Sequence, residues 1–334
     1  MKVAVLAPIA WRTPPRHYGP WEQISSNITE GLVAAGIDVT LFATRDSVTN
    51  ARLNAVIDSG YEEDRCQDAK VVECLHISNL MEHAASFDLI HNNFDFLPLT
   101  YSRLIKTPVI TTIHGFSSEK IVAVYEKYNN SGYYVSISNS DRNERLHYTA
   151  TVYNGIKTQQ FEFNEHPEEY LLFLGRIHPD KGTAEAIEIA KLTKRKLIIA
   201  GIIQDTNYFK EKVEPFLDDT IQFVGQAGPE MRSDLLKNAA VLLHPINFDE
   251  PFGLSVAEAM LCGTPVIAFN RGSMPELILH EKTGYLVRTV SQAAEAVEQL
   301  WKINRFDCHK WSRSKFSQEK MVQDYISVYK QILT

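Results

Sequence analysis

Short apolar runs of strand length alternate with longer segments of helical periodicity along most of this chain, and the alternation starts twice. It opens with an apolar run at residues 2–7, a helical segment at 22–35 and a second run at 38–42, with later strand-like runs at 88–91, 109–113 and 133–136. Runs that are apolar throughout mark strands buried on both faces, so the pattern predicts a mainly parallel sheet covered by helices. Around residues 153–168 it breaks into polar sequence containing His166-Pro167, which reads as an interdomain linker. It then resumes with strands expected at 170–174, 196–200, 221–224, 241–244 and 265–268. The expected fold class is therefore α/β with two Rossmann-like parallel-sheet domains, and 334 residues suffice for two cores of ordinary size. No internal repeat joins the halves, and the polar stretch at 59–69 reads as an exposed loop.

Bulk properties exclude several classes. A net charge of -7, from 34 Lys and Arg against 41 Asp and Glu, argues against broad adhesion to nucleic acid or to an anionic bilayer. The basic run at 191–196 reads as the solvated end of a helix. Cys66, Cys74, Cys262 and Cys308 show no C-x-x-C pairing and no His partner at metal spacing, so free thiols in a reducing, cytoplasmic setting are expected. Lys2 ahead of an apolar run faintly suggests a signal peptide, but Pro8 cuts the run and no small-residue cleavage site follows, which favours a buried first strand. No stretch approaches the ~18 apolar residues of a membrane span, so stable membrane insertion is not expected.

The segment Glu250-Pro251-Phe252-Gly253-Leu254-Ser255-Val256-Ala257-Glu258 puts a carboxylate at each end of a loop-to-helix junction. Pro251 favours a first helical turn and Gly253 permits close backbone approach, so free amides near Gly253, Leu254 and Ser255 would face an anionic group with the helix dipole behind them. Read as one helix, the eight positions between Glu250 and Glu258 span ~12 Å. The pair alone also fits a solvated helix start. A second cluster lies upstream, where the apolar run 171–174 leads into Gly175-Arg176 and Asp180-Lys181-Gly182. Guanidinium binds phosphate oxygens bidentately and ammonium acts as a point charge, so Arg176 and Lys181 are suited to meet one pyrophosphate. In the first half, Ala10 to Trp21 carries Arg12, Arg16, His17 and Gly19 before a helix, and Thr111-Thr112-Ile113-His114-Gly115 puts a histidine at a strand end.

Together with Tyr153-Asn154-Gly155-Ile156, Phe223-Val224-Gly225, Gly263-Thr264-Pro265, Gly272-Ser273-Met274-Pro275-Glu276 and Thr283-Gly284-Tyr285, these segments resemble the retaining glycosyltransferases of family 4, across most of the C-terminal half. The resemblance implies a GT-B fold whose two domains face a central cleft. Residues 1–156 with 316–334 would form the acceptor side and residues 157–315 the nucleotide-sugar side, the last helix crossing back to the first domain. It further implies catalytic roles for His114, Arg176, Lys181 and Glu250, and donor binding by Gly19, Gly225, Phe252, Gly253, Leu254, Ser255 and Glu258. Family members usually carry two adjacent glycines where this chain has Gly19-Pro20, and proline deletes an amide donor there. His91-Asn92-Asn93 and Ser136-Ile137-Ser138 are further candidates to line an acceptor pocket.

The implied reaction is transfer of a hexose from a nucleotide diphosphate sugar, with UDP the first expectation and GDP the second, to a small-molecule hydroxyl. No permanent cofactor and no metal ion are expected, since no Asp-x-Asp motif occurs. An inverting transferase, a GT-B epimerase and a nucleotide-sugar-binding protein without turnover are the alternatives. The acidic balance favours a soluble acceptor over a lipid-linked one.

Overall fold

In the computed structural model, which describes residues 1–116 and 118–334, the chain begins β1 (Lys2–Leu6), α1 (Pro20–Ala34), β2 (Asp38–Phe42), β3 (Arg52–Asn54), α2 (Ala69–Glu82) and β4 (Leu89–Asn92). It continues β5 (Val109–Ile113), α3 (Val122–Tyr128), β6 (Tyr133–Ser136), β7 (Tyr148–Thr151), β8 (Leu171–Leu174), α4 (Thr183–Thr193) and β9 (Leu197–Ala200). After α5 (Thr206–Lys212), β10 (Ile221–Phe223), α6 (Pro229–Asn238), β11 (Val241–His244) and α7 (Leu254–Leu261) come β12 (Val266–Phe269) and α8 (Met274–Leu277). The last elements are β13 (Gly284–Val287), α9 (Val290–Val297), α10 (Arg305–Phe316) and α11 (Gln318–Leu333). These form two compact units, Met1–Gly155 with Gln318–Thr334 and Ile156–Ser317.

The first unit holds a parallel sheet in the order β3-β2-β1-β4-β5-β6-β7. Strand order reverses between β1 and β4, and in open sheets such a switch point is where loops part to leave a crevice. Its central strands are closed to solvent from Val3 to Leu6 and from Leu89 to Asn92, as their apolar runs require. α11 packs on α1, and Tyr325 and Tyr329 are fully buried. A buried phenol needs a partner for its hydroxyl. Tyr329 finds His91 Nδ1 at 2.6 Å and Tyr325 finds Thr112 Oγ1 at 2.8 Å, while His91 Nε2 lies 2.7 Å from Thr112 Oγ1. His91 is thus tied into the packing of the sheet against α11, and burial pushes its pKa down to about 3.

The polar stretch 59–69 is likewise no free loop. Gly60 lies so close to the Ala10 backbone that no side chain fits, and Glu62 N donates to Ala10 O at 3.0 Å. Glu63 accepts from Arg16 Nη1 at 2.6 Å and from Arg12 N at 3.1 Å. The stretch therefore clamps the loop that follows β1.

The second unit repeats the design with six parallel strands in the order β10-β9-β8-β11-β12-β13, reversing between β8 and β11. Residues read as linker are partly built into it: Asn164 N donates to Cys262 O at 3.1 Å, and Arg305 Nε donates to Asn164 O at 2.7 Å. Arg305 also donates to the carbonyls of Lys237 and Ala239, and burial lowers its pKa to about 10. The strands absent from the sequence reading are β3, β7 and β13, each at a sheet edge, where one neighbour suffices and a continuous apolar run is not required.

Candidate functional site

The switch point of the second unit gathers the motifs. After β8 the chain passes Gly175-Arg176 and turns at Gly182, whose φ of 76° is left-handed and whose Cα faces the Pro245 carbonyl with no room for a Cβ. Glycine meets both demands at once. The loop after β11 is stitched to this turn, because Asn247 N donates to Asp180 O at 2.7 Å and Asn247 Nδ2 to Pro179 O at 3.1 Å. A third loop, after β12, fixes Glu250: Ser273 N donates to Glu250 O at 3.0 Å, Gly272 N donates to Asp249 Oδ1 at 3.2 Å, and Gly272 abuts the Glu250 backbone.

Within this frame the Lys181 ammonium binds the Glu250 carboxylate, the two side chains being 13% and 14% exposed. Lys181 Nζ also stands 4.7 Å from the centroid of the Phe248 ring, which suits a partly desolvated cation. His244, the last residue of β11, places Nε2 at 3.8 Å from the same carboxylate. Burial holds its imidazole neutral, with a pKa lowered to about 4, so the positive charge facing Glu250 comes from Lys181. Arg176 hydrogen-bonds the Gln204 side chain and, among the described residues, bonds neither Lys181 nor Glu250.

α7 starts at Leu254, not at Pro251. Gly253 is its left-handed cap, with φ of 93°, and accepts from Val256 N at 3.1 Å. The amides of Leu254 and Ser255 therefore open the helix with no intrahelical acceptor and with the positive dipole end behind them. Because residues 250–253 are not helical, helical rise does not measure the separation of Glu250 from Glu258, which corrects the single-helix reading. The Phe252 ring is buried edge-on against Phe316, centroids 5.7 Å apart, which leaves only its backbone for a ligand. Gly225, with φ of 77°, has nothing within 4 Å of where a Cβ would stand, so its strand-end turn is open. Glu258 is buried, and Arg232 of α6 donates to its Oε2 through Nε at 2.7 Å and through Nη2. Burial raises its carboxyl pKa and Arg232 opposes the rise.

In the first unit His114 follows β5, buried and stacked on Trp21 at 5.7 Å between centroids. Its Nε2 lies 3.0 Å from Asn93 Oδ1, and among the described residues its buried Nδ1 has no partner. Burial depresses its pKa to about 3, so the ring is neutral. Gly19 is enclosed: a Cβ there would meet Glu22 Oε2 and Pro15 at 2.9 Å, so packing inside the loop already demands glycine. Arg16 is held by Asp46 and Glu63.

Arg232, His244 and Glu22 were not singled out in the sequence, whereas Asn93, the partner of His114, was among the acceptor-pocket candidates. His244 offered the same strand-end signal as His114, whereas nothing local joins Arg232 to Glu258, 26 positions away. Among the described residues no group of three or more His, Cys, Asp or Glu could hold a metal ion, and the four cysteines are free.

Two open, all-parallel sheets in one chain, each reversing strand order in its middle, define the GT-B class of glycosyltransferase fold, and solved structures share it along the whole chain. A glycosyltransferase involved in avilamycin A biosynthesis matches 100% of this chain and 98% of its own with a TM-score of 0.75 at 21% identity. HepE of Anabaena, solved with UDP and glucose, matches 99% of this chain and 100% of its own with a TM-score of 0.74 at 17% identity. In sequence, residues 156–318 match the model of the glycosyl transferases group 1. An uncharacterised glycosyltransferase of Methanocaldococcus jannaschii is 22% identical across 99% of this chain and 98% of its own length. Among the described residues no helix is long and apolar enough to cross a membrane.

Proposed function

We propose that this glycosyltransferase moves a hexose from a UDP-sugar to the hydroxyl of a small-molecule acceptor with retention of configuration and without a metal ion. The observation that carries the reading is the Lys181–Glu250 pair at the β8/β11 switch point, with the first-turn amides of α7, which among the described residues have no side-chain cap. A nucleotide sugar needs positive charge at its diphosphate and acceptors at its sugar hydroxyls. Lys181 and the α7 amides supply the first, and Glu250, pinned by Gly272 and Ser273, supplies the second. Arg176 rests on a neutral partner, Gln204, so moving it to a diphosphate breaks no ion pair. Glu258 takes the ribose hydroxyls and the backbone at Gly225 lies against the base.

Departure of the diphosphate is assisted by these charges, and the leaving phosphate itself takes the acceptor proton, so no protein nucleophile is required. The first unit takes the acceptor role in this reading, and the neutral ring of His114 offers it a hydrogen-bonding group. A uridine donor is favoured because HepE was solved with UDP, with a guanosine donor second. The test is a panel of UDP- and GDP-sugars with candidate acceptors, the product's anomeric configuration being read by NMR. Retention with a UDP-sugar is expected; inversion or epimerised sugar refutes the mechanism, and affinity without any glycosylated product refutes the enzyme reading.

A further inference from the structure

We infer that Arg232 is a positioning residue of the nucleotide subsite, which presents a single fixed oxygen of Glu258 to the vicinal hydroxyls of a ribose. This rests on the reading that Glu258 accepts those hydroxyls. α6, which carries Arg232, buries only Leu236, so packing does not explain an arginine at this place. Its guanidinium instead reaches across to α7 and puts two N–H groups, Nε at 2.7 Å and the closer Nη2, on Oε2 of Glu258.

The consequence follows from counting acceptor sites. A carboxylate offers about four lone-pair directions, two on each oxygen. Both on Oε2 are taken by Arg232, while among the described residues Oε1 accepts no hydrogen bond. Two N–H groups of a planar fork converging on Oε2 also hold that oxygen in place, which stops the carboxylate from turning about its last bond. What remains is one oxygen with two lone pairs at a set orientation, which fits two neighbouring hydroxyls donating together. Without Arg232 the carboxylate would be a buried anion lacking a counter-charge, free to rotate and drawn toward its protonated form, which accepts less well. The Arg232 side chain is 32% exposed, so its remaining N–H groups reach solvent and the pair can form without burying the whole guanidinium.

Titration calorimetry with UDP and with 2′,3′-dideoxy-UDP tests this. Arg232→Met should weaken UDP about tenfold, the scale of one hydrogen bond to a charged group, while leaving the dideoxy analogue nearly unchanged. In a Glu258→Gln background the same substitution should no longer matter, and Arg232→Lys, which keeps charge but loses the fork, should fall between. Thermal unfolding of each variant reports whether it is folded, and Arg232→Lys carries the comparison if Arg232→Met is not. Equal weakening of both nucleotides overturns the inference, because it marks a purely structural role. UDP affinity unchanged in Arg232→Met but lost in Glu258→Gln also overturns it and leaves the ribose reading intact. UDP affinity unchanged in Glu258→Gln removes the ribose reading itself.

Discussion

Lys181 and Glu250 are 69 residues apart in sequence and in direct ionic contact in the fold, both nearly closed to solvent. Such a pair is costly to break from one side, because the survivor is left as a charge with neither water nor partner. Lys181 thus has its counter-charge without a ligand, and in the proposed reaction it would meet the diphosphate from this pair.

If the proposed reaction holds, replacing Lys181 with Ala should lower kcat by about a hundredfold, as should Arg176→Ala, since each would remove a charge that the proposal sets against the leaving diphosphate. The two differ in stability. Lys181→Ala should cost ~3 kcal/mol in urea unfolding and Arg176→Ala little, because Arg176 rests on Gln204. Adding Glu250→Ala to Lys181→Ala should restore most of that loss, and a double variant no more stable than the single one would contradict the pairing.

Gly182→Ala should destabilise the protein by more than Gly36→Ala, although both glycines have φ near 80°, at 76° and 79°. The second substitution carries only the left-handed backbone cost of about 1 kcal/mol, since nothing lies within 4 Å of its Cβ. The first adds a clash with the Pro245 carbonyl. Equal losses in denaturant titration would show that the two loops are not in contact at this point.

The buried Glu22 carboxyl has its pKa raised from 4.5 to about 7, chiefly by burial, opposed by hydrogen bonds from its own amide and from Trp11 N. Between these values the folded chain keeps a proton that the unfolded chain has released. Stability from this group is therefore full below about pH 4.5 and is lost as pH rises to about 7. Glu22→Gln should gain on the parent across that window with a slope of at most about 1.4 kcal/mol per pH unit and level off above it. A difference independent of pH would mean that Glu22 titrates normally.

Under the proposed mechanism turnover should persist in EDTA, because Lys181, Arg176 and the α7 amides would supply the positive charge that the diphosphate needs. Loss of activity that magnesium or manganese restores would overturn this.

Much of the fold was legible locally. β2, β5, β6 and β11 fall where their apolar runs put them, since a strand buried on both faces is apolar at most positions. The edge strands β3 and β7 were not, because their outer faces meet solvent and leave no such run. In the site, Lys181 and Glu250 could be read as candidates from residue type and glycine spacing. That they touch could not, and the α7 start was misplaced because Gly253, not Pro251, provides the cap.

The order of residues along the chain determined which segments become strands, where the sheets restart and which loops carry charge, because strand burial and glycine turns act over a few neighbouring positions. Partnership was decided only in three dimensions. Glu258 meets Arg232, His91 meets Tyr329 and Lys181 meets Glu250 because parallel strands whose order reverses bring distant loops and helices together. No local preference encodes a contact whose two halves are dozens or hundreds of residues apart; the packing of the sheets selects it.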